Sequence, residues 1–266
     1  MGAALDEQHV VAGETGSARQ GGAGLDMVRF AAASEATWPG ERVELIGGWR
    51  LRLGDPKAGS RANSVWAAGP PGIATEAAVD AAEQAYAAAG LTACMQIWPG
   101  DDAVDDVLEA RGWTLYDPCL ILARPLDEPW PEAPRDTVAI RLDAPLAMAE
   151  RLWTQGGIGP ARQAVFHRAA GAKALFMGRV GQRPAGMIGV SLDGGVAVTQ
   201  ALWVDPACRG KGLGVTLMGA AGRAAAALGA RVMAHAVVSD NAPARALYAR
   251  LGFGEIGHYH YRRAPA

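Results

Sequence analysis

The chain has 266 residues, of which 50% are hydrophobic and 20% charged, and its formal net charge at pH 7 is −2. This length suits two globular domains, and the near-neutral charge gives no reason to expect nucleic acid or an anionic membrane as a partner. The cysteines are odd in number and widely separated, so we expect neither a disulfide framework nor a cysteine metal site; they are Cys94, Cys119 and Cys208.

The N-terminal residues show no basic stretch followed by an apolar core, and no apolar run in the sequence is long enough to cross a bilayer. We therefore expect a cytoplasmic protein. Residues 1–24 are rich in Gly, Ala and polar side chains without periodicity. This composition predicts a poorly ordered tail, to which we assign no function.

The first half of the chain, residues 25–126, alternates between strand and helix patterns. Its predicted elements are a helix at 26–36, strands or a hairpin at 42–54, a strand at 63–67, a helix at 73–89, a strand at 92–98, a helix at 103–111 and a strand at 113–124. Residues 127–136 contain three prolines among acids and predict a linker.

The second half, residues 137–266, predicts an α/β layer with a mixed sheet. Its predicted strands are 137–142, 173–180, 183–192, 195–204, 231–238 and 255–262, and its predicted helices are 144–154, 161–170, 215–228 and 242–251.

The clearest chemical signal lies between the strand 195–204 and the helix that begins at Val215. Asp205-Pro206 ends the strand, because proline has no N–H for the ladder, and a glycine-rich turn, Arg209–Gly214, follows it. N–H groups at a helix start have no intrahelical partner and lie at the positive end of the helix dipole. Arg209 and Lys211 add full charges. The turn therefore predicts a site for phosphate or pyrophosphate, although such turns also serve plain packing.

The spacing of this turn distinguishes between phosphate-binding patterns. It fits neither the Walker loop nor the dinucleotide fingerprint, so a nucleotide-binding protein is a weak alternative. Arg209-x-x-Gly212-x-Gly214, after a strand that ends in Val204-Asp-Pro, resembles the pyrophosphate loop of the GNAT superfamily of acyl-CoA-dependent N-acyltransferases.

A second stretch follows in the order that this family shows. Asn241-x-x-Ala244-x-x-Leu247-Tyr248-x-x-x-Gly252-Phe253 resembles the family's Asn-x-x-Ala-x-x-Leu-Tyr-x-x-x-Gly-Phe pattern. From the residues alone, structural roles explain both side chains as well: Asn241 as a helix N-cap and Tyr248 as a residue of the core.

The resemblance implies a fold, a cosubstrate and a set of site residues. The fold class is α/β (α+β mixed sheet), with two GNAT-like domains in tandem and mixed, mostly antiparallel sheets flanked by helices. Acetyl-CoA is the implied acyl donor and a primary amine the implied acceptor. The implied catalytic residues are Leu202, whose backbone N–H would stabilise the oxyanion, and Tyr248, which would protonate the leaving thiolate. The residues implied in binding the donor are Leu202, Trp203, Val204, Arg209, Gly210, Lys211, Gly212, Leu213, Gly214, Asn241 and Arg245.

The first half resembles a degenerate repeat of the second. Arg61-x-Asn63-Ser64-Val65 resembles a signature in the first halves of two-domain GNAT proteins. Gly69-Pro70-Pro71-Gly72 stands where the glycine-rich turn would be, and its prolines lack the N–H donors that a phosphate needs. We therefore expect residues 25–126 to form a domain without a CoA loop and residues 137–266 to form the catalytic domain.

The general base is not identified by any motif. Family members often carry a carboxylate five residues before the Asn, and here that residue is Ala236. A water chain, or a group on the last strand, is the alternative; the nearest such groups are Glu255, His258 and His260. His258 and His260 also suit a metal pair, but no third ligand is evident, so no metal is predicted. His235 is read as packing or a wall of the substrate site, and an acyl-enzyme on Cys208 lacks a positioned histidine.

Two functions remain open. The first is an N-acetyltransferase that acts on a small molecule or peptide by direct attack in a ternary complex, as a monomer or homodimer. The alternative is a protein that binds or senses acyl-CoA without turnover, which Ala236 and the degenerate first half motivate.

Overall fold

The computed structural model describes residues 24–144 and 146–265. The helices of these ranges are α1 (Met27–Thr37), α2 (Thr75–Ala88), α3 (Asp102–Ala110), α4 (Ala147–Gln155), α5 (Pro160–Arg168), α6 (Leu213–Ala227) and α7 (Ala242–Arg250). The strands are β1 (Arg42–Ile46), β2 (Trp49–Leu53), β3 (Val65–Ala67), β4 (Cys94–Ile97), β5 (Thr114–Pro125), β6 (Thr137–Leu142), β7 (Lys173–Val180), β8 (Arg183–Asp193), β9 (Val196–Val204), β10 (Val232–Val238) and β11 (Gly254–Arg263).

Each predicted helix and strand is present, with its ends displaced by a few residues. The segment 42–54 is a hairpin, β1 and β2, whose turn is Gly47-Gly48. The predicted tail, 1–24, lies outside the described residues apart from Gly24. None of the helices in the described ranges is long and apolar enough to cross a membrane.

All the strands belong to one sheet, in the order β1-β2-β3-β4-β11-β5-β10-β9-β8-β7-β6. Only β3 with β4 and β9 with β10 pair in parallel. The prediction of a mixed, mostly antiparallel arrangement flanked by helices is confirmed. The strands form one continuous sheet, however, and not a separate sheet for each half of the sequence.

The sheet is continuous because the two halves exchange their last strands. β11, from the end of the chain, lies between β4 and β5, and β5 in turn pairs with β10. Pairing between strands so far apart in sequence leaves no trace in local periodicity. The hydrogen bonds of the sheet therefore cross the predicted domain boundaries. The division of the chain into residues 25–126, 127–136 and 137–266 stays a prediction from the sequence.

Helices cover both faces of the sheet in separate apolar clusters. On one face α6 and α7 pack over the second half, with Leu217 and Met218 fully buried, and α2 and α3 pack over the first half around Trp49 and Tyr86. α1 belongs to a third cluster with residues of β5, β9, β10 and β11. Trp38, at the end of α1, packs with α4 and α5 in a fourth cluster, which joins the two halves of the chain.

The parallel pair β9 and β10 separates after three residue pairs. Pairing runs from Val196 opposite Val232 to Val198 opposite Ala234, and the ladder ends there. At the next residues Thr199 Oγ1 and His235 Nδ1 lie 3.1 Å apart and close the base of the gap. The sheet therefore has an opening between two of its central strands.

A β-bulge in β9 lies beside this opening. Gln200 pairs with Gly189 and Trp203 with Met187, so β9 holds an extra residue, and Ala201 adopts the left-handed value φ 54°. Trp153 Nε1 donates to the Ala201 carbonyl at 3.0 Å, and Gln200 Nε2 donates to the Thr37 carbonyl at 2.7 Å. Helices from both halves thus hold the bulge in place.

His235 stays neutral at the base of the opening. Its side chain is 3% exposed, and burial lowers its pKa to about 3. Its Nε2 is buried without a hydrogen-bond partner among the described residues. Protonation would place an uncompensated charge in the core.

We expect the exchanged strands to make the two halves interdependent. Residues 24–136 and 137–266, expressed separately, should each fail to unfold cooperatively, because the first fragment lacks β11 and the second lacks β5. Co-expressed, the fragments should copurify as one complex that unfolds in a single transition, with the chain 24–266 as control. Cooperative unfolding of either fragment alone, measured by circular dichroism in urea, would contradict this expectation.

We expect His235 to make the fold sensitive to acid. The unfolded chain takes up a proton near pH 6.5 and the folded chain only near pH 3, so stability is lost as the pH falls between these values. The loss is roughly 3 kcal/mol between pH 7 and pH 4. In His235→Asn this part of the pH dependence should disappear. Equal slopes of unfolding free energy against pH in the two proteins would contradict the assignment.

Candidate active site

Two cavities meet at the opening between β9 and β10. One, the groove, has a volume of about 590 Å³ and runs along the end of β9, the turn Arg209–Gly214 and the start of α7. The other, the central cavity, has a volume of about 560 Å³ and lies between the two halves of the chain. Leu202, Asn241 and Ala244 line both. A long ligand in the groove can therefore reach into the central cavity.

The turn before α6 presents free backbone N–H groups to the groove. The Asp205 carboxylate accepts from the Ala207 N–H at 2.9 Å and from Arg183 Nη2 at 2.6 Å, and so fixes the end of β9. Gly210 (φ 76°) and Gly212 (φ 80°) are left-handed, and no side chain caps α6. The N–H groups of residues 210–215 donate to no acceptor within the described ranges. This arrangement, here called the cradle, has the free N–H groups and the left-handed glycines that the predicted anion site needs.

Gly212 is required by space as well as by backbone conformation. A Cβ at this position would overlap the ring of Pro134, which belongs to the segment that joins β5 to β6. The joining segment therefore packs on the turn and supports it from outside the groove.

The charged residues near the cradle are only partly those that the sequence predicts. Arg209 lines the groove, and so does Arg250, at the end of α7, which the sequence reasoning missed. Lys211 is exposed on the turn and does not line the groove. Arg245 lies elsewhere on α7, where Nη1 donates to the Ser239 carbonyl at 2.9 Å beside a separate depression. The structure thus brings Arg250, and not Arg245, to the groove.

The other predicted donor-binding residues surround the junction of the two cavities. Leu202, Trp203, Val204, Leu213 and Gly214 all line the groove. Asn241 is the N-cap of α7 and accepts from the Ala244 N–H at 3.2 Å. The bulge leaves Leu202 without a ladder partner on β8, and β10 has already diverged on the other side. No strand pair with β8 or β10 includes Leu202, so its backbone groups are the candidates for hydrogen bonds to a ligand at this point.

Tyr248 lies on α7 at the wall of the central cavity. Its side chain is 8% exposed, and its ring centroid lies 3.9 Å from that of His235. No described residue forms a hydrogen bond with its hydroxyl group. Burial raises its pKa to about 12, so the hydroxyl carries its proton at neutral pH.

The three groups suggested as bases on the last strand do not reach the central cavity. Glu255 and His258 are exposed, and His260 Nε2 lies 3.1 Å from Asp105 Oδ1, which Arg262 also contacts. Side chains alternate along a strand, so the neighbours of these histidines, Tyr259 and Tyr261, line the cavity instead. The sequence shows that side chains alternate along β11, but it does not show which face of the strand lines the cavity.

Ala236 does line the central cavity, so the position where relatives often carry a carboxylate holds a methyl group here. Asp117 is the one carboxylate among the described lining residues. It lies in a bulge of β5 and has φ 45°. The Asp117-Pro118 pair inside a strand pattern was the signal that could have revealed it.

The first half of the chain supplies another wall of the central cavity, which includes Trp38 and Arg61. Arg61 belongs to the Arg-x-Asn-Ser-Val stretch, whose other polar residues are structural. Asn63 Nδ2 donates to the Asp55 carbonyl at 2.7 Å, and Arg52 Nη2 donates to Ser64 Oγ at 2.7 Å. The stretch therefore holds a short turn that places Arg61 at the cavity.

In the first half, the segment that the sequence aligns with the glycine-rich turn, Gly69-Pro70-Pro71-Gly72, packs against the β1–β2 turn. The Gly48 N–H donates to the Pro70 carbonyl at 2.8 Å, and a Cβ at Gly47 or Gly48 would overlap the backbone of Pro71 or Gly69. This segment packs closely on the β1–β2 turn. Across the part of the chain that the structure describes, no group of three or more His, Cys, Asp or Glu could hold a metal.

The residues present fit the acyl donor that the sequence resemblance implies. The cradle offers unpaired N–H groups and Arg209 to a pyrophosphate, and the opened strand offers backbone groups to an extended amide-containing arm. Both features belong to the second half of the chain.

Comparisons with known proteins agree with this geometry. The model of the acetyltransferase (GNAT) family matches residues 124–253. A GCN5-related N-acetyltransferase from Kribbella flavida has a similar structure, with a TM-score of 0.70 and 19% identity over 90% of this chain and 95% of that chain. No curated protein matches the sequence.

Two further solved structures share the fold at low sequence identity. A functionally unknown conserved protein from Staphylococcus epidermidis has a TM-score of 0.61 and 12% identity, over 86% of this chain and 96% of that chain. A tandem GNAT protein from the clavulanic acid biosynthesis pathway has a TM-score of 0.52 and 18% identity, over 70% of this chain and 68% of that chain. The match over residues 124–253 identifies this part of the chain as an acetyltransferase domain of the GNAT family.

Proposed function

We propose that the protein transfers an acetyl group from acetyl-CoA to a primary amine of a small molecule or peptide, by direct attack in a ternary complex. The observation that carries the proposal is the junction of the groove and the central cavity at Leu202, Asn241 and Ala244, with Tyr248 at its wall. The donor would enter along the groove and the acceptor through the central cavity, so that the two meet at the opening between β9 and β10.

The donor's diphosphate would bind the N–H groups of the turn before α6, close to Arg209 and Arg250. Its pantetheine arm would follow β9 from Val204 to Leu202, and Asn241 would bound the arm on the side of α7. Acetyl-CoA supplies an acetyl group already activated as a thioester.

Two groups of the chain would assist the reaction. The backbone N–H of Leu202, free of the ladder, would donate to the thioester oxygen as negative charge develops there. The Tyr248 hydroxyl, kept protonated by burial, would give its proton to the departing thiolate. The amine loses its proton to Asp117 or to water. His235, whose pKa is about 3, is too weak a base for this step.

A protein that binds acyl-CoA without turnover is the alternative, and Ala236 at the cavity wall favours it. Release of CoA thiol with a panel of primary amines distinguishes the two functions. Release that depends on an amine supports the transferase; measurable binding of acetyl-CoA without release from any amine supports the alternative.

We expect Tyr248→Phe to reduce kcat by about 100-fold or more, because the leaving thiolate loses its acid. Affinity for acetyl-CoA, measured by calorimetry, should change little. Tyr86→Phe is the matched control, since Tyr86 is buried in the first half and donates to the Arg52 carbonyl. Normal turnover in Tyr248→Phe would refute the assignment.

We expect the turn before α6 to tolerate no Cβ at Gly212. Gly212→Ala should raise KM for acetyl-CoA by about tenfold, because the overlap with Pro134 displaces the amides. Gly229→Ala, beyond the other end of α6, also has a positive φ of 94° but meets nothing within 4 Å. It should lower stability and leave KM unchanged. An unaltered KM in Gly212→Ala would show that the turn does not hold the donor.

A further inference from the structure

Two arginines, one from each half of the chain, line the central cavity. Arg61 follows the short turn after β2, and Arg162 lies on α5. A Cβ at Gly59, two residues before Arg61, would lie 3.9 Å from Arg162 Nε. The Arg61 guanidinium lies over the Trp38 ring, 4.6 Å from its centroid, and this contact involves the face of the guanidinium and not its N–H groups.

Neither guanidinium has a carboxylate partner among the described residues. Arg162 Nε is buried without a hydrogen bond, and Arg162 Nη1 makes only a long contact of 3.5 Å with the Gly157 carbonyl. Burial lowers the pKa of both arginines, and the charge of Arg162 adds to the lowering of the pKa of Arg61. Half-buried, unpaired cations are costly, and several other arginines of the chain do have carboxylate partners, as Arg50 has Glu35 and Arg183 has Asp205.

We propose that the acceptor amine carries a carboxylate, and that Arg61 and Arg162 bind this carboxylate in the central cavity. The planar fork of a guanidinium matches a carboxylate through parallel hydrogen bonds. The inference rests on the proposed function, since it assigns the central cavity to the acceptor. It also gives the first half of the chain a role, because Arg61 and Trp38 come from that half.

Asp117 also lines this cavity, but its side chain is exposed and forms no ion pair with either arginine among the described residues. The two positive charges are therefore available to an anionic group of the acceptor, and a comparison of carboxylates with phosphonates decides which anion it is. The amine must extend from the arginines to the junction at Leu202, so the separation of amine and carboxylate decides which acceptor fits.

The test compares amines that differ only in the carboxylate. We would measure CoA release with aminocarboxylates from glycine to 6-aminohexanoate, each beside the alkylamine with the same number of carbons, and with aminoalkylphosphonates of matched length. At the best length, kcat/KM for the carboxylate should exceed that for the alkylamine by about 10- to 100-fold. Equal kcat/KM values for the carboxylate and the alkylamine at every length would overturn the proposal. A preference for the phosphonate would overturn the choice of a carboxylate and show that the cavity binds a dianionic group.

Variants assign the preference to the two arginines. Arg61→Gln and Arg162→Gln should each bring the ratio of kcat/KM for the carboxylate to kcat/KM for the alkylamine close to one, and Arg61→Lys should restore part of that ratio. Arg42→Gln is the matched control, because Arg42 is exposed and paired with Glu44. If both glutamine variants still prefer the aminocarboxylate to the alkylamine, the assignment of the carboxylate site to Arg61 and Arg162 is contradicted.

A second measurement needs no turnover and separates this inference from the proposed function. Hexanoate, which has the carboxylate but no amine, should raise the Tm of the protein above that in sodium chloride of equal ionic strength, and Arg61→Gln or Arg162→Gln should abolish the rise. If no amine releases CoA but hexanoate stabilises the protein, the anion site stands and the transferase does not. No shift with hexanoate and no preference in turnover would overturn the anion site.

Discussion

The separation of β9 from β10 after Val198 and Ala234 is the constraint on which the candidate site depends. A continuous ladder would consume the backbone groups of Leu202 and close the sheet where the two cavities meet. The bulge at Ala201 maintains the opening, and it is held by hydrogen bonds from Trp153 and to Thr37. Trp153 lies in α4 of the second half and Thr37 in α1 of the first half. Both halves of the chain therefore stabilise the strained strand.

The exchange of β5 and β11 gives the first half a place at the candidate site. β11 crosses into the first half and presents Tyr259 and Tyr261 to the central cavity, while β5 presents Asp117 from the other direction. Trp38 and Arg61 complete that wall. The first half therefore contributes to the shared cavity although its sequence has Gly69-Pro70-Pro71-Gly72 in place of the glycine-rich turn.

Electrostatics divide the site into two regions. The groove combines a helix N-terminus with Arg209 and Arg250, which suits an extended anion at the surface. The central cavity holds Arg61 and Arg162 in a drier setting, where an unpaired charge has a larger effect. Between them lie the neutral groups Tyr248 and His235, both of which burial keeps in the uncharged form.

The sequence by itself determined the elements, the cradle at Arg209–Gly214 and the Asn241–Phe253 motif, because periodicity, left-handed glycines and caps are local properties of the chain. It did not determine that β11 would pair with β4 and β5, nor that Arg250 would reach the groove in place of Arg245. It flagged Arg61 within a signature but gave no sign of Arg162 beside it. These relations are set by strand order and packing between distant segments, so only the tertiary structure decided them.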